Sequence, residues 1–234
     1  MILSYLHQLR KNQTASTFTP ISFVAGFGFE QTDTTNGILI QSSLGVQSGD
    51  LIVCAGAGDT DDTAPPNISG TTFTTIRDIT DLNADAGAGW FYGYAPSSAF
   101  TLSFDDDNGD GLALGWAIGI FRNTHATNPI HADSFANAFS NNNLPNPPSL
   151  TPTIDNCMII AVGALDDDEP TQVSPPTGFT MVGFENAGNG GCGMMAYQLQ
   201  TTATTVDPSP FTSSTARENS DEWSAGTIAI APAS

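Results

Sequence analysis

The sequence predicts an all-β protein, and three observations support this fold class. Two parts of the chain repeat each other about 105 residues apart. Thr, Gly and Pro are abundant while charged residues make up only 12%, a composition that favours strands and turns over helices. Short apolar runs alternate with turn sequences, and helical periodicity is absent beyond the first residues. We therefore expect a jelly-roll-like β-sandwich with an internal pseudo-duplication and a short N-terminal arm.

Each copy of the repeat contains an apolar run, an acidic segment, a proline turn and further apolar runs. The matching segments are GDLIVCAGAG at 49–58 and DNCMIIAVG at 155–163, TTFTTI at 71–76 and GFTMV at 178–182, and GWAIGI at 115–120 and AGTIAI at 225–230. Both copies also pass through a Gly-rich stretch to a tyrosine, Tyr94 in the first and Tyr197 in the second. A catalytic site needs a unique set of unlike groups, whereas a repeated strand plan needs only to pack. The repeat therefore favours a scaffold.

The apolar runs and turn residues predict twelve strands. We place them at 21–29, 37–43, 50–57, 71–78, 88–95, 99–104, 112–121, 148–154, 156–164, 178–185, 191–199 and 223–231. A polar, Pro-rich stretch at 137–150 is the predicted linker between the two halves.

The chain length suits one large all-β domain or two small ones. We expect residues 1–18 to form an N-terminal anchoring arm and residues 19–234 to form the β-sandwich, with halves at 19–136 and 148–234. Two interleaved halves in a single sandwich are favoured, and two tandem sandwiches remain the alternative.

The first 18 residues differ in kind from the rest of the chain. The apolar side chains Ile2, Leu3, Leu6 and Leu9 have spacings that place them on one side of a short helix, and Arg10 and Lys11 follow them. A secretory signal has its cations before the apolar part, so this order does not indicate secretion. Two interpretations stay open: a frayed terminus, or an apolar and basic arm that anchors an acidic body to a partner.

The net charge of −19, with five basic residues, limits the partners of this protein. Such a surface repels the phosphate backbone of nucleic acids and the head groups of anionic membranes, so neither is expected as a partner. No apolar segment has the length needed to span a bilayer. Solubility alone explains the acidity, and contact with cations or a basic partner is the alternative.

One acidic motif has the form of a calcium loop. The residues Asp106, Asn108 and Asp110 followed by Gly111 match the opening D-x-N-x-D-G of such loops, in which alternate side-chain oxygens bind the ion. Ala117 occupies the position of the closing bidentate Glu. An acidic β-turn is therefore the favoured interpretation, with Ca²⁺ as the alternative and no other cofactor expected.

Acidic segments follow equivalent strands in the two copies of the repeat. They contain Asp59, Asp61 and Asp62 in the first copy and Asp166, Asp167, Asp168 and Glu169 in the second. Solvated loop tips are the favoured interpretation. The alternative is a divalent-ion site or a general acid/base pair formed where the two segments meet.

No catalytic motif is found in the sequence, so we expect a protein that is not an enzyme. Cys54, Cys157 and Cys192 are odd in number, lack CxxC spacing and suit small core residues better than a disulfide or zinc site. His125 and His131 flank Asn-Pro-Ile in a predicted loop, and no nucleophile motif accompanies them.

Strand alternation places three aromatic side chains on one face. Trp90, Tyr92 and Tyr94 share a face of the strand at 88–95, with Phe91 on the other. Core packing is the favoured role for these rings, and contact with a glycan is the alternative.

Several passages resemble a known family. The passages are GDLIVCA at 49–55, WFYGY at 90–94, FRNTHATNPIHA at 121–132, PPTGFT at 175–180 and the closing run at 225–232. They are similar to the GDLLVA, YYK, YRGVDPTNPID and PxGWT patterns of β-sandwich modules common in tailed-phage virion proteins and in bacterial surface or prophage-encoded proteins. The resemblance covers residues 20–234. Departures are Phe179 in place of Trp, Asn123 in place of Gly, and NCM at 156–158 in place of the second GDLLV.

The resemblance implies a jelly-roll-like sandwich in a virion or cell-surface setting, without a cofactor and without catalytic residues. We expect a non-enzymatic virion structural protein that decorates the capsid or belongs to a spike or fibre, anchored by its N-terminal arm. It would assemble in the host cytoplasm, lie on the virion surface, form a homo-oligomer and contact other virion proteins. The alternative is a carbohydrate-binding adhesion module, assisted by calcium, that binds a host surface glycan.

Overall fold

The computed structural model describes residues 19–32, 37–58, 64–79, 87–104, 114–138, 144–165, 172–187, 191–213 and 222–234. The predicted all-β class is confirmed, because these ranges contain strands, turns and one three-residue 3-10 helix at Ser42–Leu44. The predicted N-terminal arm lies outside the described residues, and the jelly-roll topology stays a prediction.

The strands in chain order are β1 (Ser22–Gln31), β2 (Gly37–Ile40), β3 (Leu51–Gly58), β4 (Thr74–Ile79), β5 (Gly87–Tyr94), β6 (Phe100–Ser103), β7 (Leu114–Arg122), β8 (Ile130–Ala138), β9 (Cys157–Leu165), β10 (Val173–Ser174), β11 (Thr180–Asn186), β12 (Cys192–Gln200), β13 (Thr212–Ser213) and β14 (Trp223–Ile230). Ten of them form two five-stranded antiparallel sheets, and the other four form the short pairs β2–β6 and β10–β13.

The pseudo-duplication is visible in the order of the strands. Sheet 1 has the order β1-β7-β3-β5-β4, and sheet 2 has the order β8-β14-β9-β12-β11. In each sheet, the first of the five strands in chain order pairs with the last of the five. The second of the five, β3 or β9, lies at the centre of the sheet. The two sheets therefore share one strand plan.

The pairing register corrects one equivalence suggested by the sequence. Tyr92 lies between Val53 of β3 and Thr74 of β4, and Tyr197 lies between Ile160 of β9 and Thr180 of β11. Tyr197 is therefore the counterpart of Tyr92, whereas the sequence paired it with Tyr94.

The division between the two copies differs from the predicted one. Sheet 1 takes its strands from residues 22–122 and sheet 2 from residues 130–230, so the chain crosses between the sheets at 123–129. Strand β8, which falls across the predicted end of the first half, belongs to sheet 2. Neither five-stranded sheet mixes strands from the two sides of this crossing, and the copies meet face to face.

One predicted strand is absent, and one strand of sheet 2 was not predicted. The segment 148–154 forms no strand and contributes only an isolated bridge between Leu150 and Val206. Strand β8 was missed, because a bulge leaves His131 without a partner in β14 and interrupts the apolar alternation.

The apolar side chains form three layers. The central layer lies between the two five-stranded sheets, and one further layer covers the outer face of each sheet. Strands β3 and β9 contribute to the central and outer layers and are buried at every position. Burial on both faces explains why these two strands appear in the sequence as continuous apolar runs.

Each of the four edge strands carries one bulge. The extra residues are Val24 in β1, Ile76 in β4, His131 in β8 and Val182 in β11. They occupy equivalent positions in the two copies, Val24 with His131 and Ile76 with Val182. A bulge increases local twist and interrupts the flat ladder that another strand would need for pairing, so the bulges protect the open edges.

At one side of the sandwich the two sheets meet through their backbones. A Cβ built on Gly28 of β1 would collide with the carbonyl oxygen of Phe184, and one built on Gly183 of β11 would collide with that of Phe27. Glycine is therefore required at both positions, because any side chain would force the sheets apart.

The opposite side is wider and is filled by large side chains. Register places Phe135 of β8 at the position equivalent to Gly28, and Arg77 of β4 at that of Gly183. The Arg77 guanidinium lies 5.8 Å from the centre of the Phe135 ring, which stacks on Trp90 at 5.0 Å. The two sides of a duplicated fold thus close in different ways.

We predict that Gly28→Ala lowers the free energy of unfolding by about 2 kcal/mol, because the added methyl group overpacks the backbone contact. Urea denaturation measures this loss. Gly93→Ala is the control, since the atoms nearest to its new Cβ belong to the Phe73 side chain at 3.1 Å and not to backbone. Equal losses for both variants would contradict the close backbone contact.

Candidate functional site

The sandwich has two unlike ends. The junction end is the one where the chain crosses between the sheets, and it holds Leu51, Arg122 and Ile130. The acidic end is the opposite one, where Gly58 pairs with Leu114 and with the first residue of β5. A Cβ built on Gly191 would lie 3.2 Å from Gly58 and 2.8 Å from the Leu165 carbonyl, so both sheets have strand termini together at this end.

Eight segments of the sequence, six of them with Asp or Glu, begin or end at the acidic end. The segments are 33–36, 59–63, 80–86, 105–113, 139–143, 166–171, 188–190 and 214–221, and their structure lies outside the described residues. They contain sixteen of the 24 Asp and Glu residues and one of the five basic residues. The predicted calcium residues Asp106, Asn108 and Asp110 and both acidic repeats belong to these segments, so those roles stay predictions.

The junction end is held together by the C-terminal residues. The Ala231 carbonyl accepts a hydrogen bond from the backbone N–H of His125 at 2.9 Å, and the N–H of Ala231 donates to the Pro129 carbonyl at 2.7 Å. The N–H of Ala233 donates to the Asn123 carbonyl at 2.8 Å. The crossing between the sheets is therefore fixed along its whole length.

The start of the described chain is attached to the same crossing. The side-chain amide of Asn123 donates to the Pro20 carbonyl at 3.0 Å, and Ile21 is buried. Asn123 has a φ of 63°, a left-handed conformation that Asn tolerates better than most residues. The described chain thus begins at a fixed point at the junction end.

An ion pair fixes the loop that leads into β3. The Nε and Nη2 atoms of Arg122 donate to the two carboxylate oxygens of buried Asp50 at 2.8 and 2.7 Å, and Nη2 also donates to the Gly45 carbonyl. The hydrogen bonds that Arg122 donates to Asp50 raise the pKa of Arg122. Asp50 also accepts from the N–H of Gln47 at 2.8 Å, so its charge is well compensated. One of the five basic residues, Arg122, therefore forms an intramolecular ion pair.

The two described histidines accept hydrogen bonds from backbone groups. The Nδ1 atom of His125 accepts from the N–H groups of Asn128 at 3.1 Å and Thr127 at 3.3 Å. The Nε2 atom of His131 accepts from the N–H of Thr153 at 3.1 Å. His131 lies on β8 and not in the loop where the sequence placed it. Both imidazoles therefore fix backbone segments at the junction end.

A shallow polar depression of about 420 Å³ lies near the junction end, where β12 ends. It is lined by residues 198–202 and 204–206, a Gln- and Thr-rich stretch that includes Leu199. The side chain of Gln200 holds this segment by donating to Thr204, and Asp155 accepts from the N–H of Ala203 at 2.7 Å. The lining is uncharged.

The predicted aromatic face is inside the protein. Trp90 is fully buried, so its ring cannot stack on a sugar, and this part of the glycan prediction is not supported. Tyr92 and Tyr94 pack against the same central layer with partial exposure, and Phe91 packs in the outer layer, as the alternation predicted. The Tyr94 hydroxyl donates to the His125 carbonyl at 2.9 Å, and burial and the nearby Tyr92 raise its pKa to about 12.

The three cysteines are core residues, as predicted. Cys54, Cys157 and Cys192 are buried. Burial raises the pKa of Cys54, and burial with a smaller effect of Asp155 raises that of Cys157 to about 11. Neither thiol ionises readily at neutral pH, so neither suits nucleophilic chemistry.

Two carboxylates lie near each other where β1 and β11 meet. Burial, followed by the charge of Glu30, raises the pKa of Glu185, and a hydrogen bond from the backbone of Asn186 partly opposes this. Among the residues that the structure describes, no group of three or more His, Cys, Asp or Glu side chains could hold a metal ion, and no helix could span a membrane.

Sequence reasoning missed the residues that organise the junction end. In the sequence, Asp50 is only the residue before an apolar run and Arg122 only one of five basic residues, and no local pattern pairs them. His125 is followed by Ala-Thr-Asn-Pro, a turn sequence. A side-chain acceptor at the start of such a turn was the signal that could have identified it. Nothing local distinguishes the glycines of the close contact from those of turns.

Comparison with known proteins found no matching family model, no matching curated protein and no matching solved structure. The family resemblance inferred from the sequence therefore stays a prediction.

We predict that Glu185→Gln raises the melting temperature at pH 7 and leaves it unchanged below pH 4. The folded-state pKa of Glu185 is raised above its unfolded value, so its contribution to stability is fully present below the unfolded pKa and is lost as the pH rises through the folded pKa. Thermal unfolding between pH 4 and 7 measures the difference. Exposed Asp207→Asn controls for net charge, and the same pH-dependent gain there would refute the prediction.

We predict that His125→Ala lowers the free energy of unfolding by about 1 kcal/mol at pH 7.5, because two backbone N–H groups lose their acceptor. His125→Asn should retain most of the stability, since an amide oxygen accepts hydrogen bonds in the same kind of turn. Urea denaturation distinguishes the variants, and equal stability of the Ala and Asn variants would disprove the role of Nδ1.

Proposed function

We propose that this protein is a non-enzymatic structural protein of a tailed-phage particle, a capsid decoration or a component of a spike or fibre. Residues 1–18 anchor it, and the acidic sandwich projects into solvent on the virion surface. The single observation that carries this proposal is the difference between the two ends of the folded body. The apolar and basic N-terminal residues leave from one end, and most of the acidic residues lie in segments that begin or end at the other.

The placement of the N-terminal residues favours anchoring over a frayed terminus. Pro20 and Ile21 are fixed to the crossing between the sheets, so an attached segment of 18 residues starts from a rigid base. An anchor transmits position only when its base is rigid. The hydrogen bonds of the C-terminal residues supply that rigidity.

The rest of the body also suits a scaffold. The largest aromatic side chains and the thiols serve packing, and the bulges on the edge strands disfavour uncontrolled strand pairing between neighbours. The alternative, adhesion to a glycan, depended on an aromatic face that includes Trp90, and that ring is fully buried.

The test is the incorporation of the chain into particles of the phage that encodes it. Mass spectrometry of purified particles should detect the full-length protein, and deletion of residues 2–18 should lower its copy number at least about tenfold. A variant combining Leu3→Ser, Leu6→Ser and Leu9→Ser keeps the length of the arm and should behave like the deletion. The double variant Arg10→Gln and Lys11→Gln measures how much the two positive charges contribute to incorporation. Undiminished incorporation of the truncated protein would reject anchoring by this segment.

A further inference from the structure

We propose that the junction end of the sandwich is itself a docking surface, and that it lies flat on the particle protein that receives the N-terminal arm. This inference rests on the proposed function and adds a second contact, made by the folded body. The partner surface that fits it is an uncharged, partly apolar protein surface.

The first argument is the position of the arm. Eighteen residues precede the described chain, and Thr19 and Pro20 lie at the crossing between the sheets. A partner that holds these 18 residues is therefore brought against the junction end before any other part of the body. Binding of the body then occurs at a high effective concentration, so a modest surface is sufficient.

The second argument is the distribution of charge. Arg122 and Asp50 at the junction end neutralise each other, and the depression beside it is lined by Gln, Thr, Leu and Val side chains. Two exposed carboxylates border this depression, Asp155 on the N–H of Ala203 and Asp207 next to Val206. The segments that begin or end at the acidic end contain sixteen of the 24 Asp and Glu residues, and carboxylates lose hydration in an interface with an uncharged surface. Docking through the junction end avoids that cost and leaves the carboxylates in water.

The third argument is the exposure of large apolar side chains. Leu44, Ile154 and Leu199 are 40%, 37% and 39% exposed. Leu44 ends the 3-10 helix between β2 and β3, Ile154 precedes β9, and Leu199 is the last but one residue of β12. Leu44 adjoins Gly45, whose carbonyl accepts a hydrogen bond from Arg122. Leu199 pairs with Met158, the second residue of β9. Apolar side chains on an end with few charges, in an otherwise acidic protein, provide the contact area of a docking surface.

The first experiment measures incorporation with the arm intact. Leu199→Glu and, separately, Ile154→Glu should each lower the copy number per particle at least about tenfold, because the interface would bury an unpaired charge. The matched control is Leu39→Glu. Leu39 is 61% exposed on β2, over the outer face of sheet 1, and this variant should stay within about twofold of the wild type. Thermal unfolding verifies that each variant is folded.

The second experiment does not depend on loss of binding. A photoreactive benzoylphenylalanine replaces Leu199 or, as control, Thr75 on the edge strand β4, and purified particles are irradiated. Position 199 should cross-link to another particle protein, and position 75 should not. Cross-links from position 199 to a second copy of this chain, or none from 199 with strong ones from 75, would overturn the docking surface.

The outcomes separate this inference from the proposed function. If the wild-type chain is missing from particles, the proposed function fails and the docking surface fails with it. If arm deletion abolishes incorporation while Leu199→Glu and Ile154→Glu incorporate normally, the proposed function stands and the docking surface is rejected.

Discussion

The backbone contact between β1 and β11 sets the geometry of the whole sandwich. Gly28 and Gly183 allow the two sheets to touch without a side chain between them. Once one side is closed in this way, the other side must accommodate the difference, and the stack of Arg77, Phe135 and Trp90 fills it. The central apolar layer lies between these two sides, so its thickness and its cooperative packing depend on two glycines.

The duplication gives the protein equal sheets but unequal ends. Both copies have the same strand order and the same bulges, which accounts for a stable scaffold built twice from one plan. The crossing at 123–129 and the C-terminal residues occur once, and they join at one end with the base of the N-terminal segment. Most carboxylates belong to segments that begin or end at the other end. The proposed function uses this difference, with one end held and the other displayed.

Much of the fold could be predicted from the sequence, for physical reasons. Strands β3 and β9 are buried on both faces, so their apolar runs were unmistakable, and alternation correctly separated Phe91 from Trp90. Strand β8 was missed because the bulge at His131 and its half-exposed edge position weaken the apolar pattern. Less of the candidate site could be predicted from the sequence. The contacts of Asn123 and Asp50 join residues that are distant in sequence, and those of His125 depend on turn geometry. No local pattern encodes them.

Amide hydrogen exchange of the full-length protein tests the central claim, that the two copies form one rigid body through the central layer and the glycine contact. The account predicts that the slowest amides of β3 and β9 exchange through one common opening, with the same free energy and the same dependence on urea. Exchange of one sheet through a separate opening of much lower free energy, while the other stays protected, would contradict it.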